Sequence, residues 1–267
     1  MKEPTLNLYR YSKVNDDLLN SIKNHTLHFT CPNEFNDPFD CRLKLLIDGT
    51  DEEWQIHGKR LGLNDIELQE LRYSGTITIE NSGSYSREIQ HHALLKTRVC
   101  CFSEFPDNIL MWSHYADSHR GICFMFETKA FDTIQYLIFN KDDLNYDNPI
   151  LPPDHGGIIK IRYSENLPEA YNHLEYDKNK LAPFLITKAI DWAYENEWRI
   201  LLPECALMTR DPRYKREQLK GVIFGLNCLE ENKKIIKELL NDAVQFFEVY
   251  PVKDKYKVEI RKIKKYA

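Results

Sequence analysis

The chain has 267 residues, of which 42% are hydrophobic and 29% are charged, as is ordinary for a globular protein that folds in water. The formal net charge of -5 disfavours a broad electrostatic grip on nucleic acid. No apolar run approaches the roughly 18 residues that span a bilayer, and the first residues lack the pattern of a secretory signal. We therefore expect a cytoplasmic protein without a membrane partner.

The first hundred residues predict strands and helices, followed by a charged helical segment. The predicted elements are strand 6–11, helix 17–23, strand 26–30, strand 41–47 and, within a segment at about 48–95, helices 54–63, 66–73 and 91–97 with a break at 82–86. Asn15 or Asp16 is suited to cap the first of these helices. The loop at 31–40 contains Asn36, Asp37 and a following proline, a combination typical of a stiff turn.

Residues 100–127 are the most informative part of the sequence. They include the end of a strand predicted at 98–102, a short helix predicted at 109–117 and a strand predicted at 122–126. Between the two strands lie polar and aromatic residues that can form hydrogen bonds: Ser103, Asn108, Trp112, Ser113, His114, Tyr115 and His119. Neither a surface helix nor a core helix needs this combination, which is typical of the wall of a ligand pocket.

The remainder of the chain again mixes strands and helices. A loop is predicted at 141–157, and the elements predicted after it are strand 157–163, helix 183–193, strand 198–202, strand 222–226, helix 229–240, strand 244–249 and strand 256–263. Because the strands and helices do not alternate in a regular βαβ rhythm, the sequence predicts an α+β fold. We expect one domain over residues 1–267, with the charged helical segment at about 48–95 as an insertion.

Two more segments carry candidate site residues. Glu195 and Glu197 stand at a predicted strand entrance beside Arg199, where paired carboxylates can position a hydroxyl or stabilise a developing cation. An ordinary salt-bridged strand entrance is the alternative. Arg10 follows Tyr9 on the first strand, where it is either a guanidinium aimed at a phosphate or carboxylate or an exposed edge-strand arginine.

Metal, thiol and phosphate-loop chemistry find little support in the sequence. The histidines at 91, 92, 114 and 119 and the acids at 37 and 40 match no known zinc spacing, so we expect no metal. We interpret the seven cysteines as buried free thiols. The sequence leaves open the alternative that Cys31 or Cys123 forms a catalytic pair with a histidine. No glycine-rich loop of the kind that cradles phosphates occurs in the sequence.

Several segments together resemble a mostly bacterial family named domain of unknown function 2971. The resemblance covers nearly the whole chain and depends on short motifs that occur along it. The matching segments are Leu8-Tyr9-Arg10-Tyr11, Leu27-His28-Phe29-Thr30, Phe35-Asn36-Asp37-Pro38-Phe39-Asp40, Cys101-Phe102-Ser103-Glu104, Met111-Trp112-Ser113-His114-Tyr115-Ala116 with His119 and Gly121, Tyr194-Glu195, Glu197-Trp198-Arg199 and Gly221-Val222-Ile223-Phe224-Gly225. The family label implies no established activity.

The order of elements is also similar to that of ADP-ribosyltransferases of the poly-ADP-ribose polymerase and DNA-modifying toxin kind. Those folds combine a first strand bearing His or Arg, a strand ending in Ser or Ala before an aromatic helix, and a strand that begins with the catalytic Glu. The resemblance implies a mixed or antiparallel split sheet with flanking helices. It also implies NAD as co-substrate, no metal, cleavage of the nicotinamide–ribose bond, and transfer of ADP-ribose to an unidentified protein or nucleic acid in a toxin or phage-defence setting.

The same resemblance implies roles for individual residues. Glu197 would be catalytic, binding the ribose hydroxyls and stabilising positive charge, with Glu195 as the other candidate. Trp112 or Tyr115 would stack on the nicotinamide ring. Arg10 would orient the ribose or pyrophosphate, and Ser103 would form a hydrogen bond to the carboxamide or ribose. Beyond these roles, we expect Tyr9, His114, Asn36, Asp37 and Arg199 to be substrate- or cofactor-binding residues.

Two alternatives to this activity stay open. The aromatic residues can instead belong to a non-catalytic module that binds a nucleotide or a nucleic-acid base. The second alternative is a nuclease that uses His114 or His119 as acid or base, because histidine exchanges protons near neutral pH.

Overall fold

The computed structural model describes residues 5–42, 45–46, 49–81, 96–172, 174 and 178–263. It confirms the predicted α+β class, because a large mixed sheet is combined with helices. The chain forms two compact units. The first unit consists of Met1–Thr30, Arg98–Ile161 and Asp191–Ala267. The second unit consists of Cys31–Thr97 and Arg162–Ile190. Within the described ranges, no helix is both long and apolar enough to cross a membrane.

Strands and helices are numbered along the chain. The strands are β1 Asn7–Ser12, β2 Leu45–Leu46, β3 Thr97–Ser103, β4 Ile122–Glu127, β5 Lys129–Phe131, β6 Ile134–Ile138, β7 His155–Lys160, β8 Arg162–Ser164, β9 Tyr171–Asn172, β10 Thr187–Ala189, β11 Glu197–Pro203, β12 Leu219–Phe224, β13 Gln245–Pro251 and β14 Val258–Lys262. The α-helices are α1 Asp16–Asn24, α2 Asp51–Leu61, α3 Asp65–Asn81, α4 Ile109–Tyr115, α5 Ala182–Ile186 and α6 Glu230–Leu240. Most predicted elements are present, with ends shifted by a few residues.

One sheet runs through the first unit in the order β14-β13-β12-β4-β1-β3-β11-β7-β6-β5. The β12 and β13 strands pair in parallel. The β1 and β4 strands pair antiparallel, from Asn7 opposite Glu127 to Ser12 opposite Ile122. The first strand of the chain therefore lies near the centre of the sheet, with β3 on its other side.

Local sequence sets the ends of the helices in this unit. Asn15 caps α1 by accepting a hydrogen bond from the backbone nitrogen of Leu18 at 3.0 Å, and His25 ends the helix in the left-handed conformation. Asn108 caps α4 by accepting from the backbone nitrogen of Leu110 at 2.9 Å. Such caps satisfy N–H groups that the first turn of a helix leaves unpaired. The cap predicted before the first helix is confirmed at Asn15.

Two hydrophobic clusters cover the two faces of the sheet. Leu18 and Ile22 of α1 and Ile236 of α6 belong to the larger cluster, whereas Met111 and Trp112 of α4 belong to the smaller one. We call these sides of the sheet the α1 face and the α4 face. Because successive side chains of a strand point to opposite faces, buried neighbours show which face each strand residue occupies.

On β1 this alternation places Arg10 on the α1 face. Leu8 is fully buried in the α1-face cluster, whereas Tyr9 and Tyr11 pack into the α4-face cluster. Arg10 has the parity of Leu8 and lies opposite Phe124 of β4, which is also part of the α1-face cluster. The two tyrosines beside the arginine therefore point to the other side of the sheet.

On β11 the same alternation places Glu197 and Arg199 on the α4 face. Ile200 and Leu202 of this strand belong to the α1-face cluster. Glu197 and Arg199 occupy the alternate positions and project from the opposite side. Arg10 and Glu197, which the resemblance to ADP-ribosyltransferases places around one NAD molecule, thus lie on different faces of the sheet.

The second unit contains the described part of the helical segment predicted at about 48–95. Thr50 and Glu53 form a reciprocal capping box at the start of α2, and Gly62 ends that helix at φ 71°. Trp54 of α2 packs in a small core with α3. Two short parallel pairs, β2 with β9 and β8 with β10, belong to the same unit.

Some sequence predictions fall on residues that are not described. The break predicted at 82–86 lies outside the described residues, and so does most of the helix predicted at 91–97. Of the strand predicted at 41–47, the described part includes a turn at Cys41 and the two residues of β2. One domain over the whole chain stays a prediction.

The helix predicted at 183–193 is wrong beyond Ile186, where α5 ends. The next residues form β10, which pairs in parallel with β8. A 3₁₀ helix, Ile190–Glu195, follows. The β-branched pair Ile186 and Thr187 favours extended backbone, and pairing with β8 satisfies the backbone groups of that extended segment.

Two further parts of the chain differ from the sequence prediction. The strand predicted at 26–30 is reduced to isolated bridges, in which Thr26 pairs with Arg213 and Thr30 with Val99. The hairpin of β5 and β6 was not predicted, although it forms one edge of the sheet.

Candidate functional site

Three elements meet around Glu195, at the entrance to β11. Ser103, at the end of β3, donates its hydroxyl to the backbone oxygen of Glu195 at 2.7 Å. Tyr115, at the end of α4, donates its hydroxyl to Glu195 Oε1 at 2.5 Å. The cap residue Asn108 donates to the backbone oxygen of Tyr194 at 2.8 Å. We call Ser103, Asn108, Tyr115, Tyr194 and Glu195 the Glu195 cluster.

The backbone at Asn196 separates Glu195 from the strand that follows. Asn196 has φ 45°, a left-handed conformation that asparagine adopts more readily than most residues. Its nitrogen donates to the oxygen of Ala193 at 3.2 Å, and its oxygen accepts from the nitrogen of Glu104 at 3.0 Å. The chain therefore turns between Glu195 and Glu197, so the two residues do not belong to one regular strand.

An ion pair on β11 engages Glu197. Arg199 donates from Nε to Oε1 at 2.7 Å and from Nη2 to Oε2 at 3.0 Å, the bidentate geometry that suits a guanidinium. Glu197 is 4% exposed and Arg199 is fully buried. The pKa of the nearby Cys101 thiol is raised well above its ordinary value by burial and further by the Glu197 carboxylate. This geometry is that of the salt-bridged strand entrance considered as the alternative.

The two aromatic candidates for stacking on a ligand differ in accessibility. Trp112 is fully buried and donates from Nε1 to the oxygen of Pro106 at 2.8 Å. Its ring meets Tyr11 edge to face, with ring centroids 5.0 Å apart. Tyr115 is half-buried. Tyr115 is therefore the one of the two candidates that a ligand can reach without displacing core side chains.

The two histidines near α4 have separate environments. His114 is exposed, and its Nδ1 lies 3.0 Å from the hydroxyl of Tyr194. His119 stacks on Trp112 with ring centroids 6.3 Å apart, and its Nε2 lies 3.2 Å from the hydroxyl of Ser113. Burial lowers the pKa of His119, which favours its neutral form. His114 thus contacts the Glu195 cluster, whereas His119 packs against the core.

The turn after α4 holds His119 in an unusual backbone conformation. Asp117, Ser118 and His119 have φ values of 47°, 53° and 68°. Non-glycine residues in this region cost roughly 1–2 kcal/mol each. The nitrogen of His119 donates to the oxygen of Trp112 at 3.0 Å, and its oxygen accepts from the nitrogen of Asn227 at 2.9 Å. These bonds fix the ring of His119 over the indole.

Arg10 lies on the α1 face, apart from the Glu195 cluster. Its Nη1 donates to the oxygen of Cys101 at 3.0 Å and to Cys100 Sγ at 3.1 Å, and its Nη2 donates to the oxygen of His28 at 3.4 Å. Tyr9 is half-buried on the α4 face, and burial raises the pKa of its hydroxyl. Of these two predicted site residues, only Tyr9 shares a face with the Glu195 cluster.

Asn36 and Asp37 lie in the second unit. Asp37 Oδ1 accepts a hydrogen bond from the backbone nitrogen of Phe39 at 2.9 Å. This is the bond that an aspartate forms when it stabilises its own turn, and it agrees with the stiff turn predicted from the sequence. A role of either residue in binding NAD stays a prediction.

Metal and thiol chemistry gain no support from the described residues. Among them, no group of three or more His, Cys, Asp or Glu side chains is placed to hold a metal ion. Cys31 and Cys123 are buried, and burial raises the pKa of the Cys123 thiol well above its ordinary value. Because the thiolate is the nucleophilic form, Cys123 is poorly suited to covalent catalysis.

The sequence analysis placed Asn108 in the wall of a ligand pocket without giving it a role, and it gave no site role to Tyr194. Asn108 had a recognisable signal, since it stands just before the predicted aromatic helix in a cap position. Tyr194 had none, because its contacts with Asn108 and His114 join segments that are far apart in the chain.

Comparison with known proteins adds one match. Residues 111–200 match the model of a family described as protein of unknown function (DUF2971). No curated protein and no solved structure matches the chain. The matched segment begins in α4 and ends in β11, so it includes Tyr115, Glu195 and Glu197. It supports the resemblance to the domain of unknown function 2971 family, whose description names no activity.

Proposed function

We propose that the protein is an ADP-ribosyltransferase-like enzyme that uses NAD at the Glu195 cluster and transfers ADP-ribose to a macromolecular acceptor. The observation that supports this proposal is that Glu195 contacts both the end of β3 and the aromatic helix α4. Its carboxylate accepts from Tyr115 of the aromatic helix, and its backbone oxygen accepts from Ser103 at the end of β3. The end of β3, the aromatic helix and the segment before β11 are thus neighbours, whereas Arg10 of the first strand lies on the opposite face of the sheet.

The reaction would need a carboxylate beside the ribose. When the nicotinamide–ribose bond breaks, nicotinamide leaves with the bonding electron pair, and positive charge develops at the ribose carbon. A carboxylate held in a site with little water stabilises that charge. An acceptor hydroxyl or water would then bond to the same carbon and release its proton to solvent water. None of these steps needs a metal or a covalent protein intermediate.

Glu195 is better placed for this role than Glu197, which the resemblance favours. Both oxygens of Glu197 accept hydrogen bonds from Arg199, so its charge is already neutralised by a cation on the same strand. Glu195 accepts a hydrogen bond from the hydroxyl of Tyr115, which places its carboxylate beside the aromatic helix. Tyr115 also supplies the half-buried ring against which nicotinamide would stack.

A non-catalytic nucleotide-binding module is the second candidate function. It is favoured by the burial of Glu195, which is 3% exposed, and of the Glu197–Arg199 pair, because such burial is typical of structural rather than reactive groups. This candidate predicts that the protein binds NAD or another nucleotide through Tyr115 and does not release nicotinamide.

The experiment that tests the proposal is nicotinamide release from NAD by the purified protein, measured by chromatography with and without cell extract. We expect Glu195→Gln to lower the rate by about 100-fold or more, as for other groups that stabilise a transition-state charge. The matched control is Glu231→Gln, which changes an exposed carboxylate on α6 and should leave the rate unchanged. The melting temperature of each variant shows whether it is folded.

Two results would count against the proposal. One is an absence of nicotinamide release together with no rise of the melting temperature in NAD. The other is release that Glu195→Gln and Glu231→Gln leave equally intact. Saturable NAD binding without turnover, weakened by Tyr115→Ala, would favour the binding module instead.

A further inference from the structure

The α1 face carries a cavity of about 630 Å³ beside Arg10. It is bordered by β1, by α1 and by the segment that contains Thr26 and His28. We propose that this cavity binds a small polar molecule through an oxyanion group, a phosphate or a carboxylate, which Arg10 receives. The site lies on the opposite face of the sheet from the Glu195 cluster and does not depend on the proposed activity.

The guanidinium of Arg10 is held in place by neutral acceptors. It donates to the backbone oxygens of Cys101 and His28 and to the thiol of Cys100. Within the described part of the chain, Arg10 forms no ion pair with a carboxylate. A half-buried arginine that is oriented but not neutralised has lost hydration without gaining a counter-ion. An anion that enters the cavity supplies that counter-ion.

The orientation of Arg10 also suits an oxyanion. Three hydrogen bonds engage Nη1 and Nη2, and the described residues provide no acceptor for Nε. A guanidinium has five N–H groups in a planar fork that matches the oxygens of phosphate and carboxylate. Fixing part of the fork on the backbone lowers the entropy that binding an anion costs.

The remaining wall of the cavity is mainly polar. Phe124, directly opposite Arg10 on β4, gives an apolar floor. Ser12, Asn20 and Asn24 supply a hydroxyl and amides, and Lys13 adds a second cation at an exposed position. The volume lies within the range of roughly 300–1,000 Å³ that small-molecule sites occupy. These groups fit a hydroxyl-bearing or amide-bearing molecule with an anionic head.

Two carboxylates at the rim do not neutralise Arg10. Asp211 is exposed and its Oδ1 lies 2.7 Å from His28 Nδ1. Asp17 is exposed as well, and its Oδ2 accepts from Asn15 at 3.4 Å. Both carboxylates therefore contact other side chains at the solvent-exposed rim. Water there screens their electrostatic effect on Arg10.

The test is isothermal titration of the full chain with inorganic phosphate and, separately, with acetate at constant ionic strength. We expect saturable binding of at least one anion and a loss of affinity of about tenfold or more in Arg10→Gln, because charge-assisted hydrogen bonds are removed. Lys13→Gln should weaken binding by a smaller factor. The control is Lys23→Gln, which removes an exposed cation of α1 that does not line the cavity.

The possible outcomes distinguish a phosphate ligand from a carboxylate ligand, and they distinguish the cavity at Arg10 from the Glu195 cluster. Saturation by phosphate alone assigns a phosphate monoester, and saturation by acetate alone assigns a carboxylate. If Arg10→Gln is too unstable for titration, Arg10→Lys replaces it. Lysine keeps the positive charge but lacks the planar guanidinium, so this variant should bind the anion less tightly than Lys23→Gln does. No saturation by either anion, or equal affinity in the Arg10 and Lys23 variants, overturns the proposal. Glu195→Gln should leave anion binding unchanged.

Discussion

Arg10 and Arg199 belong to the same sheet but are held in opposite ways. Arg199 on β11 is fully buried and forms a bidentate ion pair with Glu197. Arg10 on β1 is half-buried and donates to backbone oxygens and a thiol. A guanidinium neutralised from within the fold serves the structure, whereas one held by neutral groups keeps its charge available to a ligand.

The β3 strand between them experiences both environments. Cys100 lies beside Arg10, and the arginine partly offsets the effect of burial, which raises the pKa of that thiol. Cys101 lies beside Glu197, whose carboxylate adds to burial and raises the pKa of the second thiol well above its ordinary value. Burial raises the pKa of both thiols; each nearby arginine opposes that rise, and the Glu197 carboxylate adds to it at Cys101.

The largest expected effect is the loss of stability when the buried pair is broken. Glu197→Gln removes the carboxylate that forms the bidentate pair with buried Arg199, and we expect the free energy of unfolding to fall by about 3–5 kcal/mol. Arg10→Gln removes hydrogen bonds to backbone oxygens but no ion pair, so we expect a loss of about 1–3 kcal/mol. Urea unfolding of both variants measures the difference.

The control for this comparison is a pair at the surface. Lys160 is half-exposed and lies 2.5 Å from Glu104 Oε2, so Lys160→Gln should cost no more than about 1 kcal/mol. An Arg10→Gln loss as large as that of Glu197→Gln would contradict the contrast between the two arginines, because it would make Arg10 an equally structural group.

A smaller effect is expected at the Glu195 cluster. Tyr115→Phe keeps the ring but removes the hydroxyl that donates to Glu195, and we expect a loss of about 1–3 kcal/mol because a buried acceptor loses a donor. Tyr250→Phe removes a similar hydroxyl bond to Glu248 at an exposed position and should cost less. Equal losses in thermal or urea unfolding would show that the bond to Glu195 does not tie α4 to β11.

The sequence predicted the local features of this site and not its long-range pairing. The cap at Asn15, the aromatic helix after β3 and the strand after Glu195 follow from residue periodicity and capping chemistry. These signals lie within a few residues of one another. The α+β class also follows from them, because it depends on the mixture of elements along the chain.

What the sequence could not supply was the face of the sheet on which each residue lies. The resemblance placed Arg10 and Glu197 around one ligand, but the alternation of side chains along β1 and β11 puts them on different faces. Their separation depends on which neighbours bury Leu8 and Ile200, and those neighbours are distant in sequence. The turn at Asn196, which separates Glu195 from Glu197, is likewise a backbone conformation that periodicity does not reveal.

The smallest expected effect is a pH dependence of stability from His119, on the α4 face. Burial lowers its pKa below the ordinary value of 6.5, so the unfolded chain binds a proton at a higher pH than the folded protein does. The stabilising difference is complete above about pH 6.5 and decreases as the pH falls toward the lower folded pKa. We expect His119→Gln to reduce the change of the free energy of unfolding with pH across this window, as measured by urea unfolding at several pH values.

His25, whose pKa is also lowered by burial and by Arg216, should still contribute to the pH dependence of stability in that variant. Unchanged pH dependence in His119→Gln would mean that its stacked ring is solvated enough to titrate normally, and the α4 face would then be more open to ligands than its buried Trp112 indicates.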